Sequence, residues 1–167
     1  MAEYQTRIAE VCSRLNAEEV RYVVVGASAM QLWGTTRATR DIDILIDPTE
    51  ENAARVLSAL SQLGFGIASE HSARDVISRV VTMIGDIPNV DILTRAWNVL
   101  WSDASQHATA FEVEGVQIPT ASIEAGFRTP PISRYWKRSG DCAMNRGHTA
   151  RCGTLTYDRR RRWRGTN

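Results

Sequence analysis

The residues of this chain best suited to chemistry are two aspartates on one short apolar run. Asp41 and Asp43 alternate there with isoleucines. Side chains two positions apart on a strand leave the same face, so both carboxylates project together while the isoleucines point into a core. Two like charges side by side repel, and burial strengthens the repulsion. A divalent cation relieves it, and carboxylate oxygens of this kind suit Mg²⁺ or Mn²⁺.

A third acid, Asp91, lies on another short apolar stretch. If this strand lies beside the one carrying Asp41 and Asp43, three carboxylates converge. Such a triad can hold two metal ions about 3.5–4 Å apart and serve in-line phosphoryl or nucleotidyl transfer. Asp41 and Asp43 would bridge the metals. Asp91 would bind one of them and help to orient or deprotonate an attacking hydroxyl.

A small-residue turn, Gly26-Ala27-Ser28, follows the apolar run 23–25. At such a point a strand ends and a helix begins, so free backbone N–H groups favour an anion. Gly26 permits close approach of the backbone to a ligand, and the Ser28 hydroxyl can donate to a phosphate oxygen. The turn is therefore a candidate phosphate site.

Two arginines, Arg37 and Arg40, lie just before the acids. They could contact phosphate or support the carboxylates. They could equally be surface ion-pair partners of nearby acids, which contribute little. Both readings stay open.

The elements that position these residues follow from hydrophobic spacing. Apolar periodicity predicts helices and strands, and Asp47 with Pro48 at the first helical position predicts one helix start. The predicted helices are 3–18, 27–33, 49–63 and 96–105, and the predicted strands are 21–26, 41–46, 80–84, 90–93 and a hairpin over 111–118. The segment 69–75 is expected to be a polar loop. The order indicates an α+β fold, a mixed sheet with helices on one side.

The bulk composition bounds the class of protein. A chain of 167 residues, 43% hydrophobic and 23% charged, has room for one core and the composition of an ordinary soluble protein. No stretch is long and apolar enough to cross a bilayer. Three cysteines make an odd, sparse set, so a disulfide framework is not expected and a cytoplasmic location fits best.

The net charge of +1 conceals an asymmetry between two parts of the chain. Residues 1–127 hold 9 arginines and 17 acids, whereas residues 128–167 hold 11 basic and 2 acidic residues and are poor in aliphatic side chains. A segment so poor in aliphatics buries too little surface to offset its ordering entropy. We therefore expect a folded domain over 1–127 and a weakly ordered, basic tail over 128–167.

The motifs together resemble the DNA polymerase β-like nucleotidyltransferase superfamily. The segment GASAMQLWGTTRATRDIDILID is most similar to small bacterial AbiEii-type and related nucleotidyltransferases. The resemblance spans residues 21–120 and implies an NTP donor, magnesium, and transfer of a nucleotide to a hydroxyl. It assigns the phosphate-binding turn to Gly26 and Ser28, the spacer to Gly34, Arg37 and Thr39, and the catalytic acids to Asp41, Asp43 and Asp91.

The resemblance ends near the C-terminus. Relatives continue into a helix, a basic loop and a helix of the type Asp-x-x-Asp-Ile-x-x-Leu, where this chain has AGFRTPPISRYWKRSGDC. We hypothesise that the reading frame shifts near residues 120–128 and that the tail is out-of-frame translation. The chain would then lack a helix that covers the core and a basic residue that helps to hold the triphosphate.

Three functions are compatible with these features. The first is a metal-dependent nucleotidyltransferase acting on tRNA, another RNA, a protein or a small molecule, including the toxin of a toxin–antitoxin pair with an antitoxin partner. The second is a truncated relative that keeps the fold but is catalytically impaired. The third is a non-enzymatic RNA-binding protein that uses the arginine run at 159–164, whose binding would fall steeply with salt.

Overall fold

Helices alternate with short strands through most of the chain. The computed structural model describes residues 2–35, 39, 41–85, 88–122, 155–158 and 162–165. The helices are α1 (Ala2–Ala17), α2 (Gly26–Leu32), α3 (Glu50–Gln62), a 3₁₀ turn (Gly66–Glu70), α4 (Ala73–Ser78) and α5 (Trp101–Gln106). The strands are β1 (Tyr22–Val24), β2 (Asp41–Ile46), β3 (Val81–Ile84), β4 (Asn89–Leu93), β5 (Thr109–Val113), β6 (Val116–Thr120), β7 (Leu155–Asp158) and β8 (Arg162–Gly165). None of the described helices combines the length and the apolar character needed to cross a bilayer.

Six strands form one mixed sheet in the order β3-β4-β2-β1-β6-β5. The pairs β2–β4 and β1–β6 are parallel, and the other neighbouring strands are antiparallel. Strands β7 and β8 pair antiparallel as a separate two-stranded sheet. The α+β fold with a mixed sheet, expected from the sequence, is confirmed.

The larger core lies between one face of the sheet and helices α1 and α3. The alternation of β2 sends its three isoleucines to this face, where each is completely buried. Full burial of such a side chain stabilises the fold by about 1.5–3 kcal/mol. The helices contribute residues at three- and four-residue spacing: Ile8, Val11, Cys12 and Leu15 from α1, and Ala53, Val56, Leu57 and Leu60 from α3.

A smaller apolar cluster covers part of the opposite face. Val23, Val25 and Leu45 pack there against Ala104 of α5 and against residues of the 96–99 turn. Helix α5 therefore lies on the other side of the sheet from α1 and α3, so the prediction that the helices pack on one side is wrong for α5. Because Asp43 and Leu45 share a face of β2, the acids lie on the α5 side.

Two local details differ from the sequence prediction. Helix α3 is capped by Thr49, whose side chain accepts a hydrogen bond from the backbone N–H of Asn52. Asp47, the predicted cap, instead forms an ion pair with Arg21, with 2.8 Å between Nε and Oδ2. The segment predicted to be a polar loop contains the start of α4, because Ser72 and Asp75 form a capping box.

Asn52 fastens α3 to the ends of β1 and β2. Its side chain is buried, donates to the carbonyl oxygens of Arg21 and Asp47 at 2.9 Å each, and accepts from the backbone N–H of Arg21 at 2.8 Å. All three bonds are made to backbone groups that lie beyond the last paired residues of the two strands. One buried amide thus completes the hydrogen bonding at this end of the sheet.

We expect Asn52→Ala to destabilise the protein by about 1–3 kcal/mol, because it leaves the backbone N–H of Arg21 without an acceptor in a partly buried site. The carbonyl oxygens of Arg21 and Asp47 each lose one donor but keep another backbone N–H. Urea unfolding followed by circular dichroism measures the free energy. Asn98→Ala, at an exposed position, is the matched control and should change the stability by less than about 0.5 kcal/mol. Equal losses of unfolding free energy in the two variants would show that the Asn52 amide does not stabilise this end of the sheet.

Candidate active site

Two aspartates lie opposite each other across the parallel pair β2–β4. In the register of this pair Asp43 lies opposite Asp91, and Asp41 lies opposite Asn89. Neighbouring strands are about 4.8 Å apart, so the side chains of Asp43 and Asp91 start about that far apart on one face. Asp41 leaves the same face about 7 Å farther along β2. The structure thus brings the three predicted acids to one patch of the sheet.

The environment of these acids raises two of their pKa values. Burial, followed by the charge of Asp91, raises the pKa of Asp43 from 3.8 to about 7, although hydrogen bonds from backbone N–H groups oppose the change. Burial also raises the pKa of Asp91, a hydrogen bond from Asn89 lowers it, and the charge of Asp41 raises it. The patch therefore holds negative charge at an energetic cost, which a cation would offset.

The donor atoms of the patch are of the kind that Mg²⁺ and Mn²⁺ prefer, since all three acids offer carboxylate oxygens on one face. As their side chains stand, however, no group of three or more acids, histidines or cysteines in the described residues is arranged to hold a metal ion. The acids fit a divalent cation by type and by face. Their side chains would have to turn toward one another to bind it.

The turn at Gly26 contacts the acids directly. The backbone N–H groups of Ala27 and Ser28 donate hydrogen bonds to the carboxylate of Asp43. Gly26 itself has φ +63°, and a Cβ at this position would collide with the carboxylate of Asp43. The group held by the turn in this structure is thus the carboxyl of Asp43, whereas the sequence predicted a phosphate there.

Ser28 is buried, and its hydroxyl bonds to the backbone of β2. The hydroxyl donates to the carbonyl oxygen of Asp41 at 2.9 Å and accepts from the backbone N–H of Asp43 at 3.1 Å. A hydroxyl has one hydrogen, and here it is committed to Asp41. The predicted donation from the Ser28 hydroxyl to a phosphate oxygen is therefore not available in this arrangement.

Asn89 is a further residue of the site, one that was not predicted from the sequence. Its amide nitrogen donates to Oδ1 of Asp91 at 2.7 Å, and the residue lies opposite Asp41 across the strand pair. The alternation that placed Asp41 beside Asp43 also places Asn89 on the face of Asp91. The same rule applied to β4 would have identified it. The predicted nucleotide-binding residues Arg37 and Arg40 lie outside the described residues.

The patch has an open side at the edge strand β3. Met83 lies opposite Asp91, and Val81 lies opposite Leu93, in the antiparallel pair β3–β4. Met83 is 67% exposed and Val81 44% exposed. A substrate could reach Asp91 from this edge, since α5 covers the face on the β1 side.

Acids that lie opposite each other on two parallel strands, with a third on the same face, suit metal-assisted phosphoryl or nucleotidyl transfer. Residues 7–141 match the family described as aminoglycoside-2''-adenylyltransferase, so the chain belongs to that family and is a nucleotidyltransferase. The matched range continues past residue 128.

A solved structure has the same fold. The crystal structure of a candidate nucleotidyltransferase from Thermotoga maritima is similar with a TM-score of 0.55 and 23% sequence identity. The similarity covers 83% of this chain and 90% of that one. Among curated proteins, none matches the chain.

We expect Gly26→Ala to destabilise the protein more than Gly64→Ala. Both glycines have positive φ, but a Cβ at Gly64 meets nothing within 4 Å, whereas at Gly26 it meets Asp43. Gly64→Ala carries only the conformational cost, about 1–2 kcal/mol. Gly26→Ala should cost about 1–3 kcal/mol more, because Asp43 must leave its backbone donors. Urea unfolding of both variants tests this, and equal losses would contradict the close approach.

The raised pKa of Asp43 predicts a pH dependence of stability. The folded state holds this proton up to about pH 7, whereas the unfolded chain releases it near 3.8, so stability falls as pH rises between these values. The Asp43→Asn side chain cannot ionise, so this variant should lack the pH-dependent loss of stability that Asp43 causes. Between pH 4 and pH 8 the wild type should lose roughly 3 kcal/mol more than the variant.

Urea unfolding at both pH values in the presence of a chelator measures this difference. Glu112→Gln, at an exposed carboxylate on the far edge strand β5, should keep the wild-type dependence. Parallel pH profiles of wild type and Asp43→Asn would show that Asp43 ionises normally.

Proposed function

We propose that this nucleotidyltransferase moves a nucleoside monophosphate from an NTP to a hydroxyl acceptor, with Mg²⁺ or Mn²⁺ held by Asp41, Asp43 and Asp91. One observation carries the proposal: the parallel register that sets Asp43 beside Asp91 on the face that also carries Asp41. The family match supports nucleotide transfer independently. A divalent cation at these acids would neutralise phosphate charge and polarise the phosphoryl group.

The positions of the acids suggest their tasks. In the reaction the acceptor oxygen bonds to the α-phosphorus, the bond from that phosphorus to the bridging oxygen breaks, and pyrophosphate leaves. Asp91 lies between Asp43 and the open edge at β3, where an acceptor can approach. We therefore assign to Asp91 the orientation of the acceptor hydroxyl and the removal of its proton.

We assign triphosphate binding to the turn at Gly26, Ala27 and Ser28, with Arg37 and Arg40 as further candidates. The N–H groups of Ala27 and Ser28 hold the carboxylate of Asp43. If Asp43 turns toward a cation, these two donors become available to a phosphate oxygen. Cation binding and phosphate binding would then favour each other.

For the donor and the acceptor we propose ATP and a small-molecule hydroxyl, because the matched family is described by adenylyl transfer to an aminoglycoside. The other acceptors compatible with the sequence are tRNA, another RNA and a protein. A protein or RNA acceptor would suit the toxin of a toxin–antitoxin pair, as in the AbiEii-type proteins that the sequence resembles.

We expect the full chain to transfer label from α-labelled ATP to an acceptor in the presence of Mg²⁺, and not in the presence of a chelator. An aminoglycoside, tRNA and a protein extract are the three arms of the assay. Asp91→Asn should lower the rate by about 10²–10⁴-fold, as loss of a general base does. Asp43→Asn should lower it to a similar extent, because the proposed cation would lose a ligand. Glu112→Gln is the matched carboxylate control and should keep the wild-type rate.

A wild-type rate in Asp43→Asn or Asp91→Asn would contradict the proposed site. Absence of transfer by a wild-type chain that still binds Mn²⁺ would favour the catalytically impaired relative. Under the reading-frame hypothesis for residues 128–167, a frame-restored chain would then regain transfer. Sequencing the gene decides whether a single-base change near residues 120–128 restores the helix expected there.

A further inference from the structure

Strand β2 loses its neighbour halfway along one edge. Strand β1 pairs with the second half of β2, at Ile44 to Ile46. The last backbone bond between them runs from the N–H of Val25 to the carbonyl oxygen of Asp43, at 3.0 Å. The chain then turns at Gly26 into α2, so in the described part of the chain no strand lies beside the acid-bearing half of β2 on that edge.

The side chain of Ser28 occupies the place of the missing strand. Its hydroxyl oxygen accepts the N–H of Asp43 at 3.1 Å, and its hydrogen goes to the carbonyl oxygen of Asp41 at 2.9 Å. A strand neighbour would supply one acceptor and one donor at these two positions. A single completely buried hydroxyl supplies both.

The opposite edge of this half-strand is held by β4, through the pairing that includes Asp41 with Asn89 and Asp43 with Asp91. The acid-bearing half of β2 thus depends on β4 along one edge and chiefly on Ser28 along the other. The Thr39 hydroxyl makes longer contacts of 3.3 Å there, with the N–H and the carbonyl oxygen of Asp41, and does not reach the N–H of Asp43. Without the Ser28 hydroxyl, the N–H of Asp43 would be buried without a partner, which costs about 1–3 kcal/mol. The strand would relax from the pleat that presents both acids on one face.

We propose that Ser28 is a positioning residue for the metal-binding acids: its hydroxyl holds the Asp41–Asp43 half of β2 in the pleated form that a divalent cation requires. The inference rests on the proposed function, because it takes these acids to be the cation ligands. It differs from the phosphate contact expected of this serine, since the hydroxyl acts on the protein backbone and the effect appears with a metal ion alone.

Binding of Mn²⁺ alone to the full chain, followed by electron paramagnetic resonance of the free ion, tests the proposal. Ser28→Ala should raise the dissociation constant for Mn²⁺ about 10-fold or more, the range seen when a partner of a metal ligand is removed. Hydrogen exchange of the Asp43 amide, measured by NMR without metal, should accelerate at least about 10-fold. Ser28→Thr, which keeps the hydroxyl, should restore both values toward the wild type.

The matched control is Thr120→Val. Thr120 is also completely buried and donates its hydroxyl to a backbone carbonyl, that of Ile118, at 3.1 Å, but it lies on β6. Thr120→Val should leave the Mn²⁺ dissociation constant within about twofold of the wild type. If Ser28→Ala does not fold, Ser28→Cys replaces it, because a thiol has a similar shape and hydrogen-bonds weakly. Weaker Mn²⁺ binding by Ser28→Cys than by Ser28→Thr supports the proposal.

Wild-type Mn²⁺ affinity in Ser28→Ala, or equal weakening by Ser28→Ala and Thr120→Val, would overturn the positioning role. Asp43→Asn separates this failure from that of the proposed function. If Asp43→Asn binds Mn²⁺ as tightly as the wild type, the acids are not the ligands and the proposed function fails with the inference. If Asp43→Asn loses Mn²⁺ and Ser28→Ala does not, only the inference fails.

Discussion

The parallel pairing of β2 with β4 is the constraint on which the rest of this structure depends. In this register Asp43 lies beside Asp91. A slip by one residue would send one of the two acids into the isoleucine core, because side chains on a strand alternate between faces. The completely buried isoleucines of β2 and β4 make such a slip costly. The hydrophobic core therefore secures the geometry of the acids on the other side of the sheet.

Placing these acids side by side and away from water costs free energy. Hydrogen bonds from the neighbouring backbone offset part of that cost. Asp43 is partly buried next to another carboxylate and still accepts hydrogen bonds from the N–H groups of Ala27 and Ser28. This contact is possible because Gly26 has no Cβ, so the turn can approach the carboxylate closely. The charge of Asp43 on β2 and the N–H donors of the turn are therefore coupled. A ligand that draws Asp43 away would also free the donors of the turn.

Much of the fold could be predicted from the sequence, because local patterns and burial agree. Strand β2 begins and ends where its alternation predicted, and α1 differs by one residue at each end. Other features depended on competition between nearby groups. Both Asp47 and Thr49 can cap a helix, and Arg21, distant in sequence, bonds to Asp47. The sequence shows candidate caps, but the packing of β1 beside β2 decides between them.

The candidate site, too, could be predicted only in part. The type and alternation of the acids by themselves determined that Asp41 and Asp43 share a face, because the pleat of a single strand requires it. Only the tertiary structure decided that Asp91 joins them, that Asn89 bonds to it, and that the Ser28 hydroxyl holds the β2 backbone. These contacts join residues far apart in the chain, and strand order and register, which local periodicity does not encode, bring them together.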